Sequence, residues 1–457
     1  MFMFLRRPAG ASAAASRAVR AGPSGRHVGV VSLISVMAAS FAGKAHAQLL
    51  DRYYPANVPA YQDWATAATP QQGDTIYGPL GVRVGSFIIS PALSETVGYD
   101  SNPAGASPSN GSSVLYDTGS VEVNSDWTRN AVNAAFTASR TDFFSLPRQS
   151  YTTWTATAGG VLDYGDNQIQ AGYSHIYAVT LPTDVGTFGV SQPIVSQVDD
   201  VRVSDTIGPG RVTLVPTLTN DVYQFSGIDN AISSSTGGLN NRDALTASLT
   251  AGYEFSGGHN ALIAVSNTLT DYFGQPPALQ PANYDDVSIM AGLEYKHSAL
   301  LIYRLLVGYE ERSSTSSGLN KGTISAPAAE FDVVWSPSVL TTVTGKISQS
   351  LEDAPSDVSQ GLKETNVQMT VTRSVRSDVT LDGSVEYARA TFQSSSNTET
   401  TVSVMGEATW SLTRRLALSL RYVFSNASGG GASGETAATS TNGFDRHQVL
   451  LQARVQL

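Results

Sequence analysis

Few residues of this chain are suited to chemistry, and their placement keeps them apart. His27 and His46 lie near the N-terminus, while His175, His259, His297 and His447 are spread through the body of the chain. His259 and His297 adjoin short turns. His175 shares alternation parity with Ile169, Tyr173 and Tyr177, and His447 with Val449, which aims both outward. A Ser–His–acid relay needs three groups converging at hydrogen-bond distance, and no such set emerges at a common depth. Asp199–Asp200 and Asp285–Asp286 are acidic pairs, but adjacent strand residues point to opposite faces. Neither pair is therefore a ready acid–base site. Calcium would accept such oxygens, yet the EF-hand spacing is missing and solvated charge is the preferred reading. The run Ser428-Gly-Gly-Gly-Ala-Ser-Gly434 lacks the Lys-Ser/Thr and the helix of a phosphate loop. The chain has no Cys, which removes disulfides, thiolate nucleophiles and Cys-bound metals. No catalytic residue, metal or cofactor is expected, and the chain reads as a protein that is not an enzyme.

The remaining polar candidates alternate with apolar residues. By parity Glu122, Asp126, Asp200, Arg202, Glu254, Glu294, Arg304, Lys346, Asp382, Glu386, Glu407, Arg421 and Arg454 share one side of their segments, interspersed with Thr, Ser and Gln. Such a wall sets ion selectivity or offers hydroxyls and amides to a sugar chain. For any single residue, pairing and hydration of the wall is the plainer role. No aromatic slide of the kind that guides sugars through maltoporin-like channels appears on that side.

The elements that carry this wall begin late. Arg6, Arg7, Arg17, Arg20 and Arg26 precede an apolar run, Val28 to Ala42, and Ala45-His46-Ala47 follows. A basic head, a short apolar body and a small-x-small site define a secretory signal, with cleavage expected after Ala47. No later stretch reaches the roughly 18 apolar residues of a helical span. Of 28 Lys+Arg, the five Arg and Lys44 leave with the signal, so the exported chain carries 22 − 38 = −16. That balance argues against nucleic acid as a partner.

Residues 48–85 are rich in Pro, Tyr, Gln, Ala and Thr and have little periodicity. We read them as an irregular periplasmic segment, with folding into a barrel mouth as the other option. From about 86 to 457 the chain is a succession of segments that alternate apolar and polar residues. Val449, Leu451, Ala453, Val455 and Leu457 oppose Gln448, Gln452, Arg454 and Gln456. Leu416, Leu418, Leu420, Tyr422 and Phe424 oppose Arg415, Ser419 and Arg421. Leu301, Leu305, Val307 and Tyr309 oppose Arg304 and Glu310, with Leu306 breaking the polar side. Period two is the signature of strands with unlike faces.

Eight tight turns alternate with nine longer loops rich in Ser, Gly, Asn and Pro, joining eighteen strands. Aromatics gather at both strand ends: Trp127, Tyr164, Tyr253, Phe255, Tyr295, Trp335 and Trp410 near the turns, and Tyr99, Tyr151, Tyr177, Tyr223, Tyr309, Tyr387, Tyr422 and Phe424 near the loops. Two such girdles mark the membrane interfaces. The expected fold is all-β: a transmembrane antiparallel up-and-down β-barrel of about 18 strands, short turns toward the periplasm. Backbone groups in lipid need partners, and a closed barrel supplies them without an edge. Pro91, Pro216 and Pro327 fall inside strands and predict bulges or displaced ends. Segments 129–141 and 260–271 alternate weakly.

Pro79-Leu-Gly-Val-Arg-Val-Gly-Ser-Phe-Ile-Ile-Ser-Pro91, Tyr99-Asp-Ser-Asn102 and Ser125-Asp-Trp-Thr-Arg-Asn130 resemble the opening of outer-membrane β-barrel porins found with exopolysaccharide gene clusters in alphaproteobacteria. The resemblance covers Pro79 to the C-terminus and implies a barrel associated with polysaccharide secretion. It brings no catalytic motif. The reading is therefore a conduit or accessory barrel for exopolysaccharide in the cell outer membrane. A general diffusion porin is the alternative, and an outer-membrane enzyme or adhesin the second. The implied partners are outer-membrane lipid, the barrel-assembly machinery, polysaccharide and periplasmic export proteins.

Overall fold

The computed structural model describes residues 50, 52–62, 64, 78, 80–187, 190–208, 210–226, 240–274, 281–296, 298, 300–318, 321–353, 361–393, 397–430 and 443–457. The expected signal peptide and its cleavage site lie outside these residues. A short strand β1 (Val82–Val84) precedes the barrel. The barrel strands follow as β2 (Phe87–Asp100), β3 (Ser112–Ser125), β4 (Ala131–Phe143), β5 (Tyr151–Tyr164), β6 (Asn167–Thr180), β7 (Ile194–Thr206), β8 (Val212–Ser226), β9 (Arg242–Ser256) and β10 (His259–Tyr272). They continue as β11 (Tyr284–Tyr295), β12 (Leu301–Ser314), β13 (Thr323–Ser338), β14 (Thr341–Glu352), β15 (Leu362–Arg376), β16 (Val379–Phe392), β17 (Thr398–Ser411), β18 (Leu416–Gly430) and β19 (Phe444–Gln456).

Each of the eighteen strands β2–β19 pairs antiparallel with its chain neighbours. The ring closes where β19 meets β2, in register from Gln448↔Asp100 to Gln456↔Ala92. The weakly alternating segments form complete strands, β4 and β10. Eight connections are short and nine are long, as the alternation implied. Positive φ at Gly165, Gly208 and Gly258 lets three of the turns close.

Alternation decides which side meets lipid. Leu420 is 55% exposed and its neighbour Ser419 only 7%. Leu93, Val97, Leu249, Ile289, Val307, Val449 and Leu451 share the outer face with Leu420. Leu306, which broke the polar side in sequence, is buried inside against Ala264, Met290 and Ala328. The turn-end girdle is present: Trp127 lies edge-on to Phe87 at 5.6 Å, and Tyr295 stacks on Tyr303 at 5.4 Å. The loop-end girdle is thinner than expected, because Tyr223 is buried within the barrel under the Arg242 guanidinium and Tyr151 turns inward against Val114, Phe143 and Leu450.

The three prolines do not produce the expected bulges. All three strands run through them in unbroken register, with Pro91 opposite Val121, Pro216 opposite Leu249 and Pro327 opposite Tyr309. Each missing donor falls where the other neighbour's ladder has stopped. Pro91 sits between the β1 pairing at Ile89 and the β19 pairing at Ala92. The β13–β14 ladder begins only at Ala329. On β8 the ladder to β7 stops at Thr217 and resumes as a single bridge, Ile207↔Leu214.

Candidate functional site: the lumen and the segment within it

The inner wall does not stand empty. Residues 50–64, read from sequence as periplasmic or as folding into the barrel mouth, lie against it in their described part. The seat is a glycine pair: Gly159 on β5 and Gly172 on β6 face each other in register. A Cβ on Gly159 would stand 2.4 Å from the Pro59 carbonyl oxygen, and one on Gly172 would stand 2.5 Å from the Tyr61 ring. Only glycine leaves room for the segment to lie flush on the strands.

Around that seat the contacts are polar and directional. Tyr54 and Tyr61 stack at 4.9 Å, and both hydroxyls donate to Asp200, which is fully buried. Arg202 holds the same carboxylate at 2.7 Å, with its guanidinium 4.5 Å from the Tyr54 ring centre and 5.0 Å from that of Tyr61. Burial and the adjacent Asp200 carboxylate push the Tyr61 hydroxyl well above the ordinary phenol range, so it remains a donor. Toward the turn end, Asn57 bonds Asn124 at 2.8 Å and accepts from Asn133 at 2.7 Å. Trp64 donates to Glu294 at 2.9 Å and packs on Ile302 and Val334, with Arg304 over its ring. Toward the loop end, the Tyr53 hydroxyl meets the Val179 backbone at 3.0 Å, and Arg52 pairs with Asp184 at 3.2 Å.

Asp184 belongs to the β6–β7 loop, which folds inward. Gly186 donates its amide to Glu399 on β17 at 2.9 Å, across the ring from β6. Thr183 accepts from Arg446 at 2.9 Å, and Val185 packs on Leu362, Ala390 and Phe392. The Arg52–Asp184 pair thus ties the internal segment to the loop that crosses the bore.

Most of the wall residues expected from parity line the interior, in separate groups. Asp200 and Arg202 anchor the tyrosines. Glu294 joins Trp64, Asn260 and Lys296, while Arg304 pairs with Glu330 and with Asp332 at 3.1 Å. Lys346 faces Asp332 across β13–β14. Glu407 holds Arg421 at 2.7 Å. Asp382 and Glu386 accept from neutral partners, Thr372 at 2.6 Å and Asn366 at 3.2 Å. Glu254 accepts from the Gly258 amide at 3.0 Å. Asp126 is displaced from the wall: it lies in the turn after β3, exposed and paired with Arg83.

A further network went unnoticed in sequence. Asp353 binds Arg242 at 3.0 Å, Arg312 at 2.7 Å and the Tyr284 hydroxyl at 2.8 Å, and Arg312 reaches Asp286 at 3.2 Å. Arg242, Asp286 and Arg312 have inward parity, a signal that was available; Asp353 lies just past β14, where parity says nothing. The acidic doublets split as expected: Asp200 and Asp286 are buried inside, while Asp199 faces outward to His175 at 2.7 Å.

Between the internal segment and β3–β5 a cavity of about 610 Å³ remains. Thr118, Ser120, Thr137, Ser139, Thr153 and Thr155 present hydroxyls to it, and Arg52, Glu122 and Arg454 also line it. Its chemistry is hydrogen bonding by hydroxyls and phenols beside these three charges.

An apolar outside, two aromatic girdles, a polar inside and eighteen closed strands define a porin-like barrel of the outer membrane. The chain belongs to the family described as Putative beta-barrel porin 2, whose profile matches residues 74–457. Among curated proteins none matches it. Similar solved structures include OpdL of Pseudomonas aeruginosa, at 10% identity over 82% of this chain and 99% of that one, with a TM-score of 0.43. OccAB3 of Acinetobacter baumannii is similar at 9% identity over 82% and 100%, with a TM-score of 0.43. A bacterial polysaccharide outer membrane secretin is similar at 10% identity over 82% and 100%, with a TM-score of 0.35.

Proposed function

We propose that the barrel is a gated conduit by which an exopolysaccharide crosses or leaves the outer membrane, acting by lining a passage. The observation that carries this reading is the hydroxyl-lined cavity beside an internal segment held by side-chain contacts. Thr and Ser hydroxyls exchange hydrogen bonds with sugar hydroxyls as readily as with water, so a glycan slides without being trapped. The tyrosine–Asp200 seat is the closed state of the passage, and movement of residues 50–64 opens it. The exported charge of −16 favours a neutral or cation-associated glycan over a strongly acidic one. The resemblance of Pro79–Asn102 to barrels of exopolysaccharide clusters supports the same substrate class.

Deletion of the gene tests it. Surface polysaccharide should fall, with polymer retained in the periplasm, and the wild-type chain should restore it. Normal surface polysaccharide after deletion, with purified protein conducting small ions and sugars, would establish the diffusion-porin reading that the family description favours. Replacing Asp382 and Glu386 by Asn and Gln should lower cation preference in planar-bilayer recordings of the open state.

A further inference from the structure

The inner wall is chemically uneven. On β2–β5 two adjoining rows carry hydroxyls and no charge. Ser94, Thr118, Ser139 and Thr153 stand opposite one another in one row across the four strands, and Ser120, Thr137 and Thr155 in the next. On the far wall a row holds Arg304, Asp332 and Lys346 instead. Thr118 and Ser139 share a hydrogen bond at 2.9 Å. The hydroxyls of Ser94, Ser120, Thr137, Thr153 and Thr155 make no hydrogen bond among the described residues. Thr155 is only 5% exposed and lines the cavity of about 610 Å³. A buried hydroxyl without a protein partner is costly unless an occupant bonds it.

The other side of that cavity is the internal segment, through Arg52, Tyr53, Tyr54 and Pro55. Their own bonds lead elsewhere: Arg52 to Asp184, Tyr53 to the Val179 backbone and Tyr54 to Asp200. An occupant therefore touches wall and segment together without breaking the seat. Charge sets what it can be. Asp184 engages Arg52 at 3.2 Å, and the two other charged groups of the lining, Glu122 and Arg454, are of opposite sign. No excess charge is left to draw an ion. A Ser or Thr hydroxyl both donates and accepts and turns freely, so these rows suit a ligand that is itself rich in hydroxyls, whatever its stereochemistry. The volume lies within the roughly 300–1,000 Å³ of small-ligand pockets, enough for a molecule of trisaccharide size.

We propose that this cavity binds a short neutral oligosaccharide, and that the bound sugar keeps residues 50–64 in their seat. Half of the site is the segment itself. Once the segment leaves, the occupant keeps only the wall and binds less tightly. A ligand that prefers the seated form shifts the protein toward that form by the same difference in affinity. On an open wall these hydroxyls let a long glycan slide; between two walls they hold a short one. Short glycan fragments in the lumen thus act as a brake on the passage. The brake rests on the reading of the seated segment as the closed state, and the binding site does not.

The absence of Cys gives a clean reporter. Val58 is fully buried in the seat and lies outside the cavity lining, so Val58→Cys in the full chain should react with a maleimide when the segment unseats. Maltotriose, a neutral trisaccharide, is titrated into the purified barrel in a detergent without sugar headgroups, and calorimetry gives its Kd. At about ten times that Kd it should slow Val58→Cys labelling roughly tenfold. Trigalacturonate, of similar size but with three carboxylates, should bind the unaltered chain at least tenfold more weakly. Thr137→Val with Thr155→Val should lower maltotriose affinity at least tenfold, with folding checked by the heat-induced band shift. No maltotriose binding, equal binding of trigalacturonate, affinity indifferent to the Val pair, or labelling that the sugar does not slow would each overturn the proposal. Slowed labelling with unchanged planar-bilayer conductance would uphold the site and overturn the closed-state reading alone.

Discussion

The Tyr61 ring lies so close to Gly172 that a single methyl group on the glycine would stand 2.5 Å from the ring edge. Strand β6 therefore accepts the internal segment only because it has no side chain there. Gly172→Val should unseat Tyr61 without touching the lipid face. Its stacked partner Tyr54 and the bond to Asp200 would go with it. Arg52 would then become open to trypsin in the purified barrel, and single-channel conductance should rise. Unchanged protection of Arg52 would show that the segment is held elsewhere.

Asp200 is the common acceptor of two phenols and one guanidinium. Asp200→Ala removes the nearest carboxylate from a partly buried Arg202 that keeps Asp221 close by, and should cost up to about 3 kcal/mol. Asp200→Asn keeps acceptor capacity and should lie between. The temperature of the unfolding band shift orders the three proteins. A common value for all of them would mean that the network adds nothing to stability.

The faces of β18 are separable by adjacent residues. Leu420→Arg, on the exposed outer face and inside the level of the Trp410 girdle, should impair assembly by about 2 kcal/mol. Ser419→Arg points inward, where Ser419 meets Thr409 at 3.0 Å, and should be much milder. Outer-membrane yield and urea midpoints measure both. Equal effects would contradict the assigned outer face.

Loop length predicts orientation. An epitope inserted at Gly430 should be labelled on intact cells, and one at Gly258 only after permeabilisation. The opposite pattern would invert the barrel and place the β6–β7 loop in the periplasm.

Much of this was legible in the chain. A side chain's face depends only on whether its position is odd or even, so Leu420 outside and Ser419 inside follow from alternation without any fold. The glycine turns and the long polar loops punctuate the sequence in the same local way. Prolines were harder to read. Pro91 looked disruptive because sequence shows that an amide is missing but not whether a neighbour asks for one. Asp126 was misplaced because parity was carried one residue past the end of β3.

The order of residues alone settles the repeating, near-neighbour part of this protein: strands, their two faces, their order and the sign of its charge. Antiparallel pairing of successive strands makes each of those a local property. Which groups meet inside the ring is settled only once the chain has folded. Residues 50–64 have no periodicity to betray their place, and their partners stand 67 positions away at Asn124, 146 at Asp200 and 230 at Glu294. Closure of β19 on β2 brings Asp100 to Arg446, 346 positions apart, and turns a list of inward side chains into a lumen. Contacts across a ring depend on its curvature and diameter, and no stretch of chain encodes those alone.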